Sequence, residues 1–356
     1  MKRSFVRQIL EVIGSDTISF AGGLPDESLL PATELSQLAG EVLNDPKSLQ
    51  YGPTSGLDTL REKIAWRYTR AGFPTCADEI LITTGAQQGL DLIARAHTQK
   101  TLQVFPPVYL GALGVFGLSK ITLTCEHGAD LAYVMSDFSN PSGTRLSLKE
   151  RQCLAESLQK TRTLLVEDGA YGELWFDHPS PSIAAMMPKD SYHLGSFSKV
   201  LSPGLRVGWV RASIERLSTL VVIKERADLH TATLNQRLID RFWQTHDFEG
   251  RLQTIRSHYA QKCDALTGAL KQQLPELAFQ KPDGGMFIYG TFPAGINARR
   301  MAFASLENGA VFVPGDEFYF KGGGENEARL NFTHPSLEEI DKGVKILAET
   351  FRRQSC

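Results

Sequence analysis

Lys199 stands in the run Ser196-Phe197-Ser198-Lys199-Val200-Leu201-Ser202-Pro203-Gly204-Leu205-Arg206-Val207-Gly208, behind a short apolar stretch that reads as a strand. An amine, the hydroxyls of Ser196 and Ser198 and the Arg206 guanidinium thus fall close together in the chain. Groups of these types can meet an aldehyde and a phosphate carried by one molecule, the amine reaching the aldehyde while hydroxyls and guanidinium hold the phosphate. A Schiff base with pyridoxal 5'-phosphate (PLP) has those two requirements. Asp168 closes the apolar run 163–168, with Tyr171 three residues on. A carboxylate paired with a pyridine nitrogen favours the protonated ring, into which electrons released at a substrate Cα can flow. Gly85-Ala86-Gln87 sits between an apolar run and a helical pattern, so its backbone N–H groups would point at whatever lies at the helix N-terminus, and a phosphate suits that place. Arg329, in Ala328-Arg329-Leu330-Asn331-Phe332, is a charge flanked by apolar strand residues and needs a partner. Its planar fork suits a carboxylate.

The pattern Ser-x-Ser-Lys-x-x-x-Pro-Gly-x-Arg-x-Gly resembles the lysine signature of fold-type I PLP enzymes, specifically the class I/II aminotransferases. Residues at family-like positions extend the resemblance from about Ile18 to about Thr333. The wording of Ile18-Ser19-Phe20-Ala21-Gly22-Gly23-Leu24-Pro25 and of Ala227-Asp228-Leu229-His230-Thr231 is similar to the 2-aminoadipate and kynurenine aminotransferase branch. The resemblance implies a role for each matching residue. Lys199 would carry the cofactor and, once freed by the substrate amine, remove the Cα proton. Tyr171 and Asn140 would reach the ring 3'-oxygen, Asn140 from Asn140-Pro141-Ser142-Gly143, where relatives have Thr in place of Ser142. The amides of Ala86 and Gln87, after Gly85, would bind the phosphate together with Ser196, Ser198 and Arg206. Tyr109 would stack on the pyridine face. Tyr51 would cross a homodimer interface to the partner's cofactor phosphate, so that active sites are shared. Arg329 would anchor the substrate α-carboxylate, with Gly23 letting the backbone approach the same group. Arg7 either meets a distal substrate carboxylate or faces water on a helix that folds over the site, turning Phe5 or Ile9 to the substrate.

The activity implied is transamination between an L-amino acid and a 2-oxo acid such as 2-oxoglutarate. The donor is 2-aminoadipate, glutamate, or an aromatic or branched apolar amino acid, and the sequence does not choose among them. The same lysine and scaffold also serve decarboxylases and β-lyases, and aminotransferase-like domains serve bacterial regulators as sensors. Arg329 together with Gly23 favours the transaminase. The family match starts almost at Met1, leaving no room for a DNA-binding module. A nucleotide-binding loop is excluded at Gly322-Gly323-Gly324, which has no Lys-Ser/Thr after it and follows no apolar strand.

These residues need a sheet to gather them. Short apolar runs at 80–84, 102–105, 133–135, 163–166, 192–196 and 207–210 alternate with helical patterns, an α/β plan in which polar groups past the strand ends form the crevice. Leu57, Leu60, Ile64 and Tyr68 recur at helical spacing after a Gly52-Pro53 turn, and Leu90, Ile93 and Ala94 share a face of the next helix. After about residue 236 the texture changes to long helices, followed by strands at 286–289 and 328–332. The expected architecture is therefore a large domain, 33–235, with a mostly parallel mixed sheet flanked by helices, and a smaller α+β domain, 236–356. Residues 1–32 form an arm that returns to the smaller domain, as chains of the family do.

With 38 basic against 40 acidic residues and a net charge of -2, no field draws the protein to nucleic acid or an anionic membrane. Cys76, Cys125, Cys153, Cys263 and Cys356 form no Cys-x-x-Cys pair, which argues against zinc and a disulfide framework. No metal is expected. No signal-peptide pattern or membrane-length apolar run is present, so the expected location is the cytoplasm.

Overall fold

The structure, a computed structural model, describes residues 16–354 together with Ile9 and Gly14. Arg7 and Phe5 lie outside the described residues, as does Cys356. The described chain opens with a two-residue strand, β1 (Ile18–Ser19). Seven strands then build one sheet: β2 (Ile80–Thr83), β3 (Thr101–Gln103), β4 (Thr122–Thr124), β5 (Leu131–Val134), β6 (Leu164–Asp168), β7 (Ser191–Ser196) and β8 (Gly208–Arg211). Their order is β2-β8-β7-β6-β5-β3-β4, and every pairing is parallel except those of β8 with β2 and β7. The fold is α/β, as the apolar runs predicted. Every residue of β2, β5 and β6 is buried, because helices cover both faces of the sheet and the strands lose the apolar-polar alternation of a half-exposed one.

Local chemistry sets the helix limits. Ser147 and Glu150 form a reciprocal capping box at the start of helix Leu148–Thr161, and Arg162 ends it in the left-handed region at φ 55°. Helix Gly85–Ala96 buries Leu90, Ile93 and Ala94, the face expected from their spacing. The strand of this run ends at Asp168, as pairing with β7 continues through Asp168↔Leu194. The edge strand β4 was not expected, because the burial that stabilises it is partial and Thr122-Leu123-Thr124 carries only one apolar residue.

A second sheet, order β12-β13-β10-β9, is formed by β9 (Ala278–Phe279), β10 (Phe287–Thr291), β12 (Val313–Pro314) and β13 (Glu327–Asn331), all antiparallel. A short strand β11 (Ala310–Val311) precedes β12 and pairs in parallel with β1. The arm thus lies beside the C-terminal half. The division expected near residue 236 falls inside helix Thr233–Thr245, which packs on helices Ala32–Leu43 and Asp58–Arg70 of the large-sheet half. The long helix Phe248–Gln273 packs instead on the C-terminal helix Leu337–Gln354.

Topology collects the chemistry at one end of the large sheet. β2, β6 and β7 all finish there, and β8, running the other way, begins there at Gly208, opposite Thr83 and Ser196. A Cβ on Gly208 would come within 2.7 Å of the Ala86 nitrogen. Only glycine lets β8 and the start of helix Gly85–Ala96 approach this closely.

Candidate active site

Past those strand ends lies a crevice of about 140 Å³ bordered by Ala86, Gln87, Tyr109, Asp168, Tyr171, Ser196, Ser198, Lys199 and Arg206. Nine candidates separated by up to 120 positions in the chain therefore meet in one place. The Lys199 amine donates to the Gly23 carbonyl at 2.8 Å and lies 5.9 Å from the centre of the Tyr171 ring. Burial, reinforced by the charges of Arg329 and Arg206, lowers its pKa to about 8. An amine so placed is neutral, and nucleophilic, in a substantial fraction of molecules at neutral to mildly alkaline pH.

Asp168 is buried at the end of β6, and its carboxylate accepts from the Tyr133 hydroxyl at 3.0 Å and from the Ala170 N–H at 3.2 Å. Burial raises its pKa against the lowering effect of these two bonds. A positive group brought to this carboxylate would reverse the balance. Tyr133 was read only as a strand residue; nothing in the local sequence marks a hydroxyl that must travel 35 positions to its acceptor. Tyr171 is buried, and its hydroxyl receives a 3.4 Å bond from the Asn140 amide. Asn140 precedes a cis peptide bond to Pro141.

The anion end is built from backbone. Gly85 opens helix Gly85–Ala96 at φ +73°, and a Cβ there would fall 2.6 Å from an Arg206 nitrogen, so glycine leaves the space that the guanidinium fills. Ser196 and Ser198 share a 2.9 Å hydroxyl bond beside it. Behind the helix start, the fully buried Lys224 donates to Gln88 and Asp228, both at 2.8 Å, while Gln88 accepts from the Thr84 N–H. The segment Ala227-Asp228-Leu229-His230-Thr231 thus has a physical task, clamping the phosphate-side turn. Helix N-terminus, hydroxyls and guanidinium fit a phosphate, and the amine and carboxylate fit an aldehyde and a pyridine nitrogen. The side chains present are those the cofactor needs.

Arg329 lies at the other side of Lys199, 3% exposed, between the rings of Phe287 and Phe318. It donates to the Asn140 carbonyl oxygen at 2.7 Å and to the Ala21 carbonyl at 2.5 Å, and its Nε has no partner. No carboxylate pairs with it among the described residues, and burial lowers its pKa to about 10. A buried guanidinium supported only by neutral oxygens is an anion site. Gly23 contributes its carbonyl to Lys199. A side chain there would meet only Phe287 among the described residues, at an ordinary 3.4 Å.

One candidate stands apart. Tyr51 is 78% exposed, with its ring set edge-on to His230 at 5.7 Å, and does not border the crevice of its own chain. Arg7 lies outside the described residues.

One cluster escaped the sequence reading. The Asp26 carboxylate accepts from His258 Nε2 at 2.8 Å, from Ser28 and from Lys262, and the Tyr259 hydroxyl accepts from the Asp26 N–H. Burial would raise the Asp26 pKa, but the bonds from Lys262, Ser28 and His258 hold it well below the usual carboxylate range. Lys262 also donates to the Thr333 carbonyl, and the Thr333 hydroxyl to that of Leu24. This latch ties the segment carrying Ala21 and Gly23, the two carbonyls that meet Arg329 and Lys199, to helix Phe248–Gln273.

A profile of the family "Aminotransferase class I and II" matches residues 134–347. The 2-aminoadipate transaminase of Thermus thermophilus is 36% identical over 382 residues, which span 99% of this chain and 94% of that protein. Aromatic-amino-acid aminotransferase 1 of Thermococcus litoralis is 32% identical over 386 residues, spanning 99% and 93%. The crystal structure of LysN, an alpha-aminoadipate aminotransferase from Thermus thermophilus, complexed with N-(5'-phosphopyridoxyl)-L-leucine, superposes with a TM-score of 0.91 at 33% identity, covering 99% of this chain and 95% of that one.

The latch predicts a split effect. Asp26→Asn keeps the shape but strips Lys262 of its counter-charge and loosens the Ala21–Gly23 segment. KM for the amino donor should rise roughly tenfold, the scale of one charge-assisted hydrogen bond, with kcat changed far less and cofactor absorbance retained. Equal loss of kcat and cofactor would show a merely structural role.

Proposed function

The chain belongs to the class I and II aminotransferases and is a PLP-dependent transaminase, and from that premise we propose which residues do the work and on what substrates. The observation that carries the assignment is convergence: Lys199 and Asp168 come from distant segments to one crevice, and buried Arg329 meets it through Asn140, which donates to Tyr171. PLP, when bound, supplies an aldehyde that takes up an amine and a ring that accepts the electron pair left at the substrate Cα. Lys199 would hold that aldehyde and would also be the base for the Cα proton of a bound substrate, a task suited to an amine whose pKa is lowered to about 8. Asp168 pairs with the pyridine nitrogen, and Tyr133 orients its carboxylate. Tyr171 and Asn140 face the 3'-oxygen. The Ala86 and Gln87 amides, Ser196, Ser198 and Arg206 hold the phosphate, and Tyr109 covers the ring. Arg329 fixes the substrate α-carboxylate, its unpartnered Nε and the absence of a carboxylate partner among the described residues supporting the reading.

The donors we propose are 2-aminoadipate or glutamate and also aromatic or branched apolar amino acids, with 2-oxoglutarate as acceptor. Phe287, Phe318 and Tyr171 supply apolar surface around Arg329, and the relatives act on 2-aminoadipate and on aromatic amino acids. The leucine adduct bound in LysN supports apolar donors. Decarboxylase, β-lyase and sensor readings are not favoured by these relatives. In single-turnover mixing with PLP-loaded protein, both donor classes should discharge the cofactor absorbance. Asp168→Ala should keep PLP but slow this step about a thousandfold or more, the scale of several kcal/mol in the transition state. Activity within about tenfold of the parent would remove Asp168 from this role.

We also propose that the working unit is a homodimer whose two sites are shared through Tyr51, a view supported by its exposure and its distance from the crevice of its own chain. Mixed dimers of a Lys199→Ala chain and a Tyr51→Phe chain contain one site with both defects and one with neither. Activity should therefore be regained on mixing two impaired homodimers. A fully active monomer in sedimentation, or no recovery on mixing, would contradict the shared site.

A further inference from the structure

A second cavity is larger than the reaction crevice. A cleft of about 410 Å³ lies behind it, bordered by Trp66, Trp175, Trp209 and Trp243, which are all four tryptophans of the protein. Strand register sets its position. Gly195 pairs with Trp209 and His193 with Glu167, whereas Asp168 pairs with Leu194 and Ser196 with Gly208. Side chains alternate along a strand, so His193 and Trp209 face the side of the large sheet opposite Asp168 and Ser196. Ala170 and Ser196 border both spaces, and the two are separated by little more than the ends of β6 and β7.

The floor of this cleft is shaped. A Cβ on Gly195 would lie 2.2 Å from the Trp209 ring and one on Gly169 2.6 Å from the His193 ring, so both rings lie flat only over glycine. The hydrogen bonds favour one imidazole tautomer. Trp209 Nε1 can only donate, and it donates to the Tyr68 hydroxyl at 2.9 Å. Tyr68 then gives its own proton to His193 Nδ1, 2.6 Å away, which leaves the ring proton on Nε2. That N–H meets no partner among the described residues, and burial lowers the His193 pKa, keeping the ring neutral.

Charge at the cleft is also sorted. Arg67 is paired with Glu173 and Glu249, and Arg256 with Glu173, so these guanidinia serve mainly to stack on Trp243 and Trp175. Arg70 differs. It lies exposed, 4.7 Å from the centre of the Trp66 ring, with no carboxylate partner among the described residues. Aromatic walls, one inward donor and one uncompensated cation at the rim fit a flat anion carrying a hydrogen-bond acceptor. The volume lies in the range of small-molecule sites.

We propose that this cleft is a second ligand site, for a planar fused-ring aromatic carboxylate. Its ring lies among the tryptophans, a ring acceptor receives the His193 Nε2 proton, and its carboxylate faces Arg70. The site is separate from the one that binds the amino-acid substrate.

Quinoline-2-carboxylate has this chemistry and no amine to transfer, so it is the probe for calorimetric titration of the PLP-loaded enzyme. Saturable binding should survive Arg329→Leu, which removes the carboxylate anchor of the reaction crevice. Ala185→Trp, which fills the cleft from helix Ile183–Met186, should abolish it. His193→Phe and the exposed Arg70→Gln, which keeps the fold whatever the fate of the filling variant, should each weaken binding by about three- to tenfold, the scale of one hydrogen bond or partly screened charge. Binding lost in Arg329→Leu but unchanged in Arg70→Gln and His193→Phe would place the probe in the reaction crevice and overturn the proposal. So would failure to saturate by about 1 mM.

Discussion

A buried arginine without an acid is the constraint around which this molecule is arranged. Arg329 sits between two aromatic rings, and among the described residues its only hydrogen bonds run to the neutral oxygens of Ala21 and Asn140. Desolvating a guanidinium is costly, and carbonyl oxygens compensate only in part. Both acceptors come from segments far away in sequence, so holding the charge requires the N-terminal arm, the loop after β5 and strand β13 to meet. The pairing of β1 with β11 and the Asp26–Lys262–His258 latch keep the arm there. The same arm delivers the Gly23 carbonyl to Lys199. Arg329 and Lys199 are thereby fixed by one piece of backbone.

The electrostatics of the crevice follow from that arrangement. Lys199, Arg206 and Arg329 are three potential cations around a single carboxylate, Asp168. Burial first, and then the charges of Arg329 and Arg206, bring the lysine to a pKa of about 8. Such a site is relieved by anions at two places, the phosphate end with Arg206 and the carboxylate end with Arg329. A transaminase needs its two anchors there, with the amine between them. The opposing push on Asp168, raised by burial, would be relieved by a protonated pyridine nitrogen.

Much of this was legible in the chain because the chemistry is locally written. The Ser196–Arg206 run, the strand end at Asp168, the Gly85 turn and the lone charge in the strand at Arg329 each carry their signal within a dozen residues, and the structure gathers all four around Lys199. What was not legible depends on separation. Asp26 and Lys262 are 236 positions apart, and neither has a neighbour that marks it. Tyr133 reads as strand filling until Asp168 is placed beside it. The break expected at residue 236 failed to anticipate helix Thr233–Thr245, since texture changes along the sequence before packing changes in space. The tryptophan-lined cleft left no trace at all, because its four indoles come from four separate elements and only the fold unites them.

The account stands most directly on the identity of the reacting amine. Borohydride reduction of the PLP-loaded protein, followed by proteolysis and mass spectrometry of the pyridoxyl-bearing peptide, locates it without reference to substrate or turnover. The label should lie on Lys199, in the peptide containing Ser196 and Arg206, and be absent from Lys199→Ala. A label on any other lysine, Lys224 included, would contradict the assignment of the crevice and the roles built on it.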